Sequence, residues 1–185
     1  VPSNLKGYEA LQRSHGRLPW AKLFEPAIEL AEGGVPVDEE FTWLLDVLKE
    51  RLDFPSTRRA YFPGGAPPKP GSLFKQPDLA RTLKAIAAEG ADVFYKGTIA
   101  RRIAEFYAAN GGILAYGDLA GYEAKWVEPI HADYRGYRVY TQPPNSSGIA
   151  VLMQLNLLEG FDLRALGHNT PGYLHLIGEV QRVAI

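Results

Sequence analysis

The stretch with the strongest claim to chemistry is Ser146-Ser147-Gly148, two hydroxyls set directly before an apolar helical pattern. Hydroxyls and unpaired N–H groups at a helix N-terminus bind carboxylates and phosphates. The same residue types are also preferred helix caps, and capping alone accounts for their presence, so capping is the expected role of both serines. The four histidines, His15, His131, His168 and His175, stand far apart in sequence. No two have metal-ligand spacing, and neither H-x-x-x-H nor H-E-x-x-H occurs. His175 and Glu179 lie four residues apart and would meet on one helix face, where a surface pair is expected. A catalytic dyad there would need a nucleophile beside it, and no sequence neighbour supplies one. Gly64-Gly65 lacks the surrounding residues of a phosphate loop, and Gly111-Gly112 reads as a helix stop. Trp126, Tyr134, Tyr137 and Tyr140 would suit base stacking, but without flanking basic clusters they read as the core and rim of a strand pair. Asp38, Glu39 and Glu40 sit where negative charge complements a helix dipole. On these grounds no catalytic, cofactor-binding or metal-ligating residue is expected.

Bulk properties narrow the class further. Twenty basic against 21 acidic residues give a formal charge of -1, which disfavours a nucleic-acid or anionic-membrane surface. No apolar run approaches the roughly 18 residues that span a bilayer. Cysteine is absent, which removes disulfides, thiolate metal sites and cysteine nucleophiles together and leaves the compartment open. With 46% hydrophobic and 22% charged residues, the 185-residue chain has globular composition and length enough for one domain with a core.

Helices separated by Gly/Pro punctuation must position whatever the chain carries. Trp20, Leu23, Phe24, Ala27, Ile28 and Ala31 keep the spacing of one helical face, with a kink or restart expected at Pro26 and a stop at Gly33-Gly34. Asp38 is expected to cap a second helix whose stripe is Phe41, Leu44, Leu45, Leu48 and Leu52. Residues 54–72 form a Pro/Gly-rich loop, and the run from Phe62 to Gly71 resists regular structure. Pro77 opens a helix that turns Leu79, Leu83, Ile86 and Ala87 inward and stops at Gly90. Ile99, Ile103, Phe106 and Tyr107 mark another, and Asp118 caps a short turn through Tyr122. β-Branched and aromatic residues around Arg135-Gly136 predict two strands joined by a tight turn. A helix through Ile149, Leu152, Leu155, Leu158 and Glu159 ends at Gly160, and a last one starts near Thr170-Pro171. The missing initial methionine and the helical pattern still running at Ile185 predict one partial domain over 1–185, truncated at both ends.

Several stretches, in collinear order over essentially the whole chain, resemble the large-subunit region of γ-glutamyltranspeptidases. They are Leu18-Pro19-Trp20-Ala21, Glu25-Pro26-Ala27-Ile28-Glu29-Leu30-Ala31, Gln76-Pro77-Asp78-Leu79-Ala80 and Phe94-Tyr95-Lys96-Gly97-Thr98-Ile99-Ala100. Asn110-Gly111-Gly112, Asp118-Leu119-Ala120, Tyr134-Arg135-Gly136-Tyr137, Pro143-Pro144-Asn145-Ser146-Ser147-Gly148 and Leu155-Asn156-Leu157-Leu158-Glu159-Gly160 complete the series. The resemblance implies an α-rich α+β fragment of a four-layer αββα N-terminal nucleophile hydrolase: mostly helices plus a short strand pair. It implies a precursor that cuts itself into large and small subunits, with a new N-terminal threonine attacking a γ-glutamyl amide. The partners implied are the small subunit of the same precursor and a γ-glutamyl or related amide substrate.

The family's substrate-carboxylate arginine precedes the region matched here. Its nucleophile, carboxylate-binding serines and oxyanion glycines follow it, so the resemblance carries no catalytic residue onto this chain. Ser146 and Ser147 do not match the family's adjacent active-site serines, which lie in a Gly-rich small-subunit segment. Many transpeptidases read Pro-Pro-Pro-Ser-Ser-Gly-Gly where Asn145 and Ile149 stand here, which is closer to the branch that includes cephalosporin-acylase-like members. Two rival readings are an amidohydrolase of that acylase kind and a non-catalytic helical binding or scaffold module.

Overall fold

A computed structural model describes residues 1–144 and 146–185. The chain divides into two compact units, Val1–Ala124 and Lys125–Ile185.

In the first unit α1 (Asn4–His15) is followed by a 3-10 turn (Trp20–Leu23), α2 (Glu25–Gly33), β1 (Val35–Pro36), α3 (Glu39–Leu48) and α4 (Pro55–Tyr61). After a second 3-10 turn (Pro63–Gly65) come β2 (Leu73–Phe74), α5 (Pro77–Glu89), α6 (Asp92–Tyr95), α7 (Thr98–Ala109) and α8 (Tyr116–Ala120). Pro26 restarts the helix, as expected: the 3-10 turn ends at Leu23 and Pro26 lies in the first turn of α2, where no intrahelical N–H is needed. Gly34 then takes φ +91, and a Cβ there would sit 3.2 Å from the Phe74 carbonyl oxygen. That close approach lets β1 pair antiparallel with β2, Val35 opposite Phe74. α2 packs on α5. Trp20 Nε1 donates to the Ile86 carbonyl at 2.9 Å, which ties the preceding turn to the same helix. Asp38 caps α3 through an N–H from Phe41 at 2.7 Å.

Several expectations are corrected. α1 and the β1–β2 pair went unforeseen: α1 buries no residue, and two-residue strands leave no alternation to read. Within residues 54–72, Pro55–Tyr61 is helical, because Pro55 at the first turn starts a helix as readily as it breaks one. α5 turns Ile86 inward as expected and also buries Ala80, while Leu79, in its first turn, is exposed. Asp118 lies inside α8 and accepts the Ala115 N–H at 2.8 Å, reaching back to the start of the helix from its third position.

The best-tied point of this unit is Tyr95, a fully buried ring. Its hydroxyl donates to the Pro2 carbonyl at 2.8 Å and accepts the Lys6 N–H at 3.1 Å. Its ring stacks on Tyr122 with centroids 5.8 Å apart. Lys6 Nζ reaches Asp92 at 2.8 Å and Glu9 at 2.9 Å, so α1 is fastened to α6 by backbone, hydroxyl and ion pair together.

The second unit contains β3 (Ile130–Tyr134), β4 (Tyr137–Thr141), α9 (Gly148–Glu159), α10 (Leu163–Leu166) and α11 (Pro171–Ala184). The expected strand pair is present, with Ile130 opposite Thr141 and Tyr134 opposite Tyr137. Arg135 at φ 49 and Gly136 at φ 82 form its two-residue turn; two positive φ values match the strands' right-handed twist. Arg135 bears the strain of that conformation while its N–H donates to Glu159 at 3.2 Å and its Nη2 donates to the Phe161 carbonyl at 2.8 Å. The hairpin is thereby clamped to the end of α9. α9 packs on both strands and on α11, and the unit's core is Ala132, Leu152, Leu158, Val180 and Ala184. Asp162 caps α10, a helix too short to show a period, and Thr170 caps α11 by accepting the Tyr173 N–H at 3.2 Å.

Candidate functional site

Asn145 lies outside the described residues, so the Pro143–Gly148 stretch is seen through its other members. Ser146 and Ser147 are exposed beside the start of α9. The expected cap is not made: Ser147 has helical backbone angles, φ -69 and ψ -3, and its side chain accepts no N–H of the first turn. A capping side chain needs an extended backbone to swing over the helix end, and Ser147 has already entered the helical region. Its carbonyl instead accepts the Ala150 N–H at 3.1 Å. The residue that the structure constrains is Gly148. A Cβ there would stand 1.8 Å from Thr141 Oγ1 and 2.8 Å from Thr141 Cβ. The glycine therefore allows α9 to begin against the last residue of β4. Replacing Ser147 by alanine should leave stability within about 0.5 kcal/mol of the parent, the range of surface changes that break no cap, as read from chemical denaturation.

The remaining candidates do not converge. His131 lies on β3 and tilts against Tyr140 across the strand pair, centroids 5.4 Å apart. His168 leans on Tyr173 at 6.0 Å. Glu179 is engaged by Arg182, whose Nη2 donates at 2.6 Å; that hydrogen bond holds its carboxyl below the ordinary carboxylate range, with a smaller contribution from His175. Asp133 is lowered in the same way by the hydrogen bond from Arg138, its cross-strand neighbour. These are exposed pairs that orient side chains and leave no base poised for proton transfer. Among the described residues, no group of three or more His, Cys, Asp or Glu side chains could hold a metal ion. Nor does any helix of the described residues have the length and apolarity to cross a membrane.

The chain thus shows a helical first unit and a second unit built on one antiparallel strand pair. The crystal structure of Helicobacter pylori gamma-glutamyltranspeptidase is similar over 100% of this chain and 54% of that one, with TM-score 0.93 and 36% identity. The class is therefore the N-terminal nucleophile hydrolase fold, represented here by a helix-rich part with a short strand pair. The family model for gamma-glutamyltranspeptidase matches residues 1–185, and the chain belongs to that family. It is 41% identical over 187 residues to the Acylase ACY 1 proenzyme of Pseudomonas sp. (strain SE83), covering 100% of this chain and 33% of that protein. It is 37% identical over 190 residues to the Glutathione hydrolase proenzyme of Escherichia coli (strain K12), covering 100% of this chain and 32% of that protein. The chain thus spans about a third of the length of these curated relatives.

Proposed function

We propose that this chain is a structural segment of the large subunit of a γ-glutamyltranspeptidase-like enzyme, which hydrolyses or transfers γ-glutamyl or similar acyl groups. The observation that carries the reading is the family match along residues 1–185, to relatives whose names describe proenzymes. In the whole enzyme an N-terminal threonine, exposed by self-cleavage, adds its hydroxyl oxygen to the amide carbonyl. Its own α-amine takes the proton and passes it to the departing amine, leaving an ester to threonine. Water or an acceptor amine then takes the acyl group and frees the threonine. Backbone N–H donors stabilise the tetrahedral species formed in both halves. Residues 1–185 supply no atom to these steps; their role is to carry and brace the catalytic part.

Unburied apolar surface supports a bracing role. α9 is apolar on nearly every side, with Leu152 and Leu158 buried while Val151, Met153 and Leu157 are exposed. A helix apolar all round belongs inside a protein. α3 also leaves apolar side chains uncovered, with Trp43, Leu44 and Val47 exposed. The acylase reading, in which the acyl group is other than γ-glutamyl, draws on the Acylase ACY 1 likeness and keeps the same division of labour. Assay of the purified chain with a γ-glutamyl anilide, with and without an acceptor dipeptide, tests the proposal. No turnover is expected. Turnover that co-purifies with this chain would refute the assignment of a purely structural role.

A further inference from the structure

The first unit contains a groove of about 690 Å³ between α4, β2 and the start of α5. That volume falls within the roughly 300–1,000 Å³ range of small-molecule sites. Tyr61 and Phe74 line it, their ring centroids 5.5 Å apart, and Phe74 is backed by Phe41 at 5.1 Å. Leu73 and Leu79, also in the lining, are exposed by 58% and 45%, so the apolar wall is open to a ligand. Two cations stand on the lining, Arg59 and Lys75, and neither has an ion-pair partner among the described residues. The one carboxylate there, Asp78, is engaged by Arg81. The groove therefore combines an aromatic and aliphatic wall with two unneutralised positive charges.

We propose that this groove binds a small amphipathic carboxylate, its apolar body against Tyr61, Phe74, Leu73 and Leu79 and its anionic end between Arg59 and Lys75. A guanidinium and an ammonium offer a carboxylate charge-assisted hydrogen bonds that a neutral amide of the same shape does not gain. A purely apolar ligand would leave both cations unused, and a fully charged one would leave the aromatic wall wet. The choice rests on that pairing of features and holds whatever acyl group the whole enzyme transfers.

Titration of the full 185-residue chain with 4-phenylbutanoate, followed by amide chemical shifts and calorimetry, tests the proposal. Saturable binding is expected, with shifts concentrated at residues 59–61 and 73–79. 4-Phenylbutanamide should bind at least about tenfold more weakly, and the double variant Arg59→Gln/Lys75→Gln should lose about tenfold or more in affinity for the carboxylate. The variant's unchanged shifts elsewhere would report that its fold is kept. Absence of saturable binding overturns the proposal, as does equal affinity for acid and amide. An intact double variant with parent affinity also overturns it.

Discussion

Tyr95→Ala is expected to destabilise the first unit by about 3–5 kcal/mol, the scale of truncating a buried aromatic ring to a methyl. The ring is fully buried and stacked on Tyr122. Its removal opens a cavity and at the same time frees the Lys6 N–H and the Pro2 carbonyl that the hydroxyl joins. A loss of that size is a large share of the stability of a typical domain. Amide exchange should show α1 and α6 opening far more often than in the parent, and parent-like protection of both helices would contradict the role assigned to Tyr95. Tyr95→Phe keeps the ring and should cost only about 1 kcal/mol, the net worth of the hydrogen bonds lost.

The same cluster sets a pH dependence. Burial raises the Tyr95 hydroxyl above its ordinary value of 10.0. For Lys6, burial works to lower the value, but the hydrogen bonds to Asp92 and Glu9 outweigh it and leave the ammonium raised above 10.5. Both groups are raised on folding, so their contribution is complete below those ordinary values and is lost as pH rises through the folded ones. Asp92 has the opposite sign: the Lys6 hydrogen bond lowers it below 3.8, and its contribution is present above that value and lost as pH falls through the folded one. Asp92 is more than half exposed, so the acid limb is shallow and the alkaline limb the steeper. Denaturation midpoints measured from pH 3 to 11 should fall first at the alkaline end, and Tyr95→Phe should reduce that fall.

Gly148→Ala is expected to destabilise the second unit by about 1–3 kcal/mol, as overpacking does in a well-filled contact. The new methyl would stand 1.8 Å from Thr141 Oγ1 and 3.0 Å from Thr141 Cγ2. Either the start of α9 or the end of β4 must move. Thr141→Ala removes both of those atoms and leaves its Cβ at 2.8 Å, so adding it to Gly148→Ala should recover part of the loss. That recovery is a coupling a double-mutant cycle reads directly. Additive losses would place the strain of Gly148→Ala elsewhere. The contrast with the near-neutral Ser147→Ala one position earlier separates the close approach from any capping by the serine.

Patterned features of the chain were legible in the sequence. Asp38, Pro26, Pro77, Thr170-Pro171 and Arg135-Gly136 act through local backbone chemistry, and each stands at the kind of boundary its residue type predicts. What escaped depends on other parts of the chain. β1 and β2 pair residues 39 apart at Val35 and Phe74, and only the glycine at position 34 hints that a backbone passes nearby. α1 is held through Lys6 and Tyr95, a contact 89 residues apart, instead of through an apolar stripe of its own. Ser147 shows the limit of composition: serine before a helix suggests a cap, but φ and ψ decide whether the hydroxyl can reach, and residue type alone does not give those angles. The groove beside α4 was hidden because the sequence suggested a loop where Pro55–Tyr61 forms a wall.

If these residues brace a catalytic subunit made from the same precursor, the mature enzyme has two chains. Intact mass and N-terminal sequencing of the mature product of the complete gene test it most directly. Two chains are expected, with residues 1–185 uncut inside one and a threonine at the new N-terminus of the other. A mature product that stays in one piece while active, or a cut that falls within residues 1–185, would contradict it.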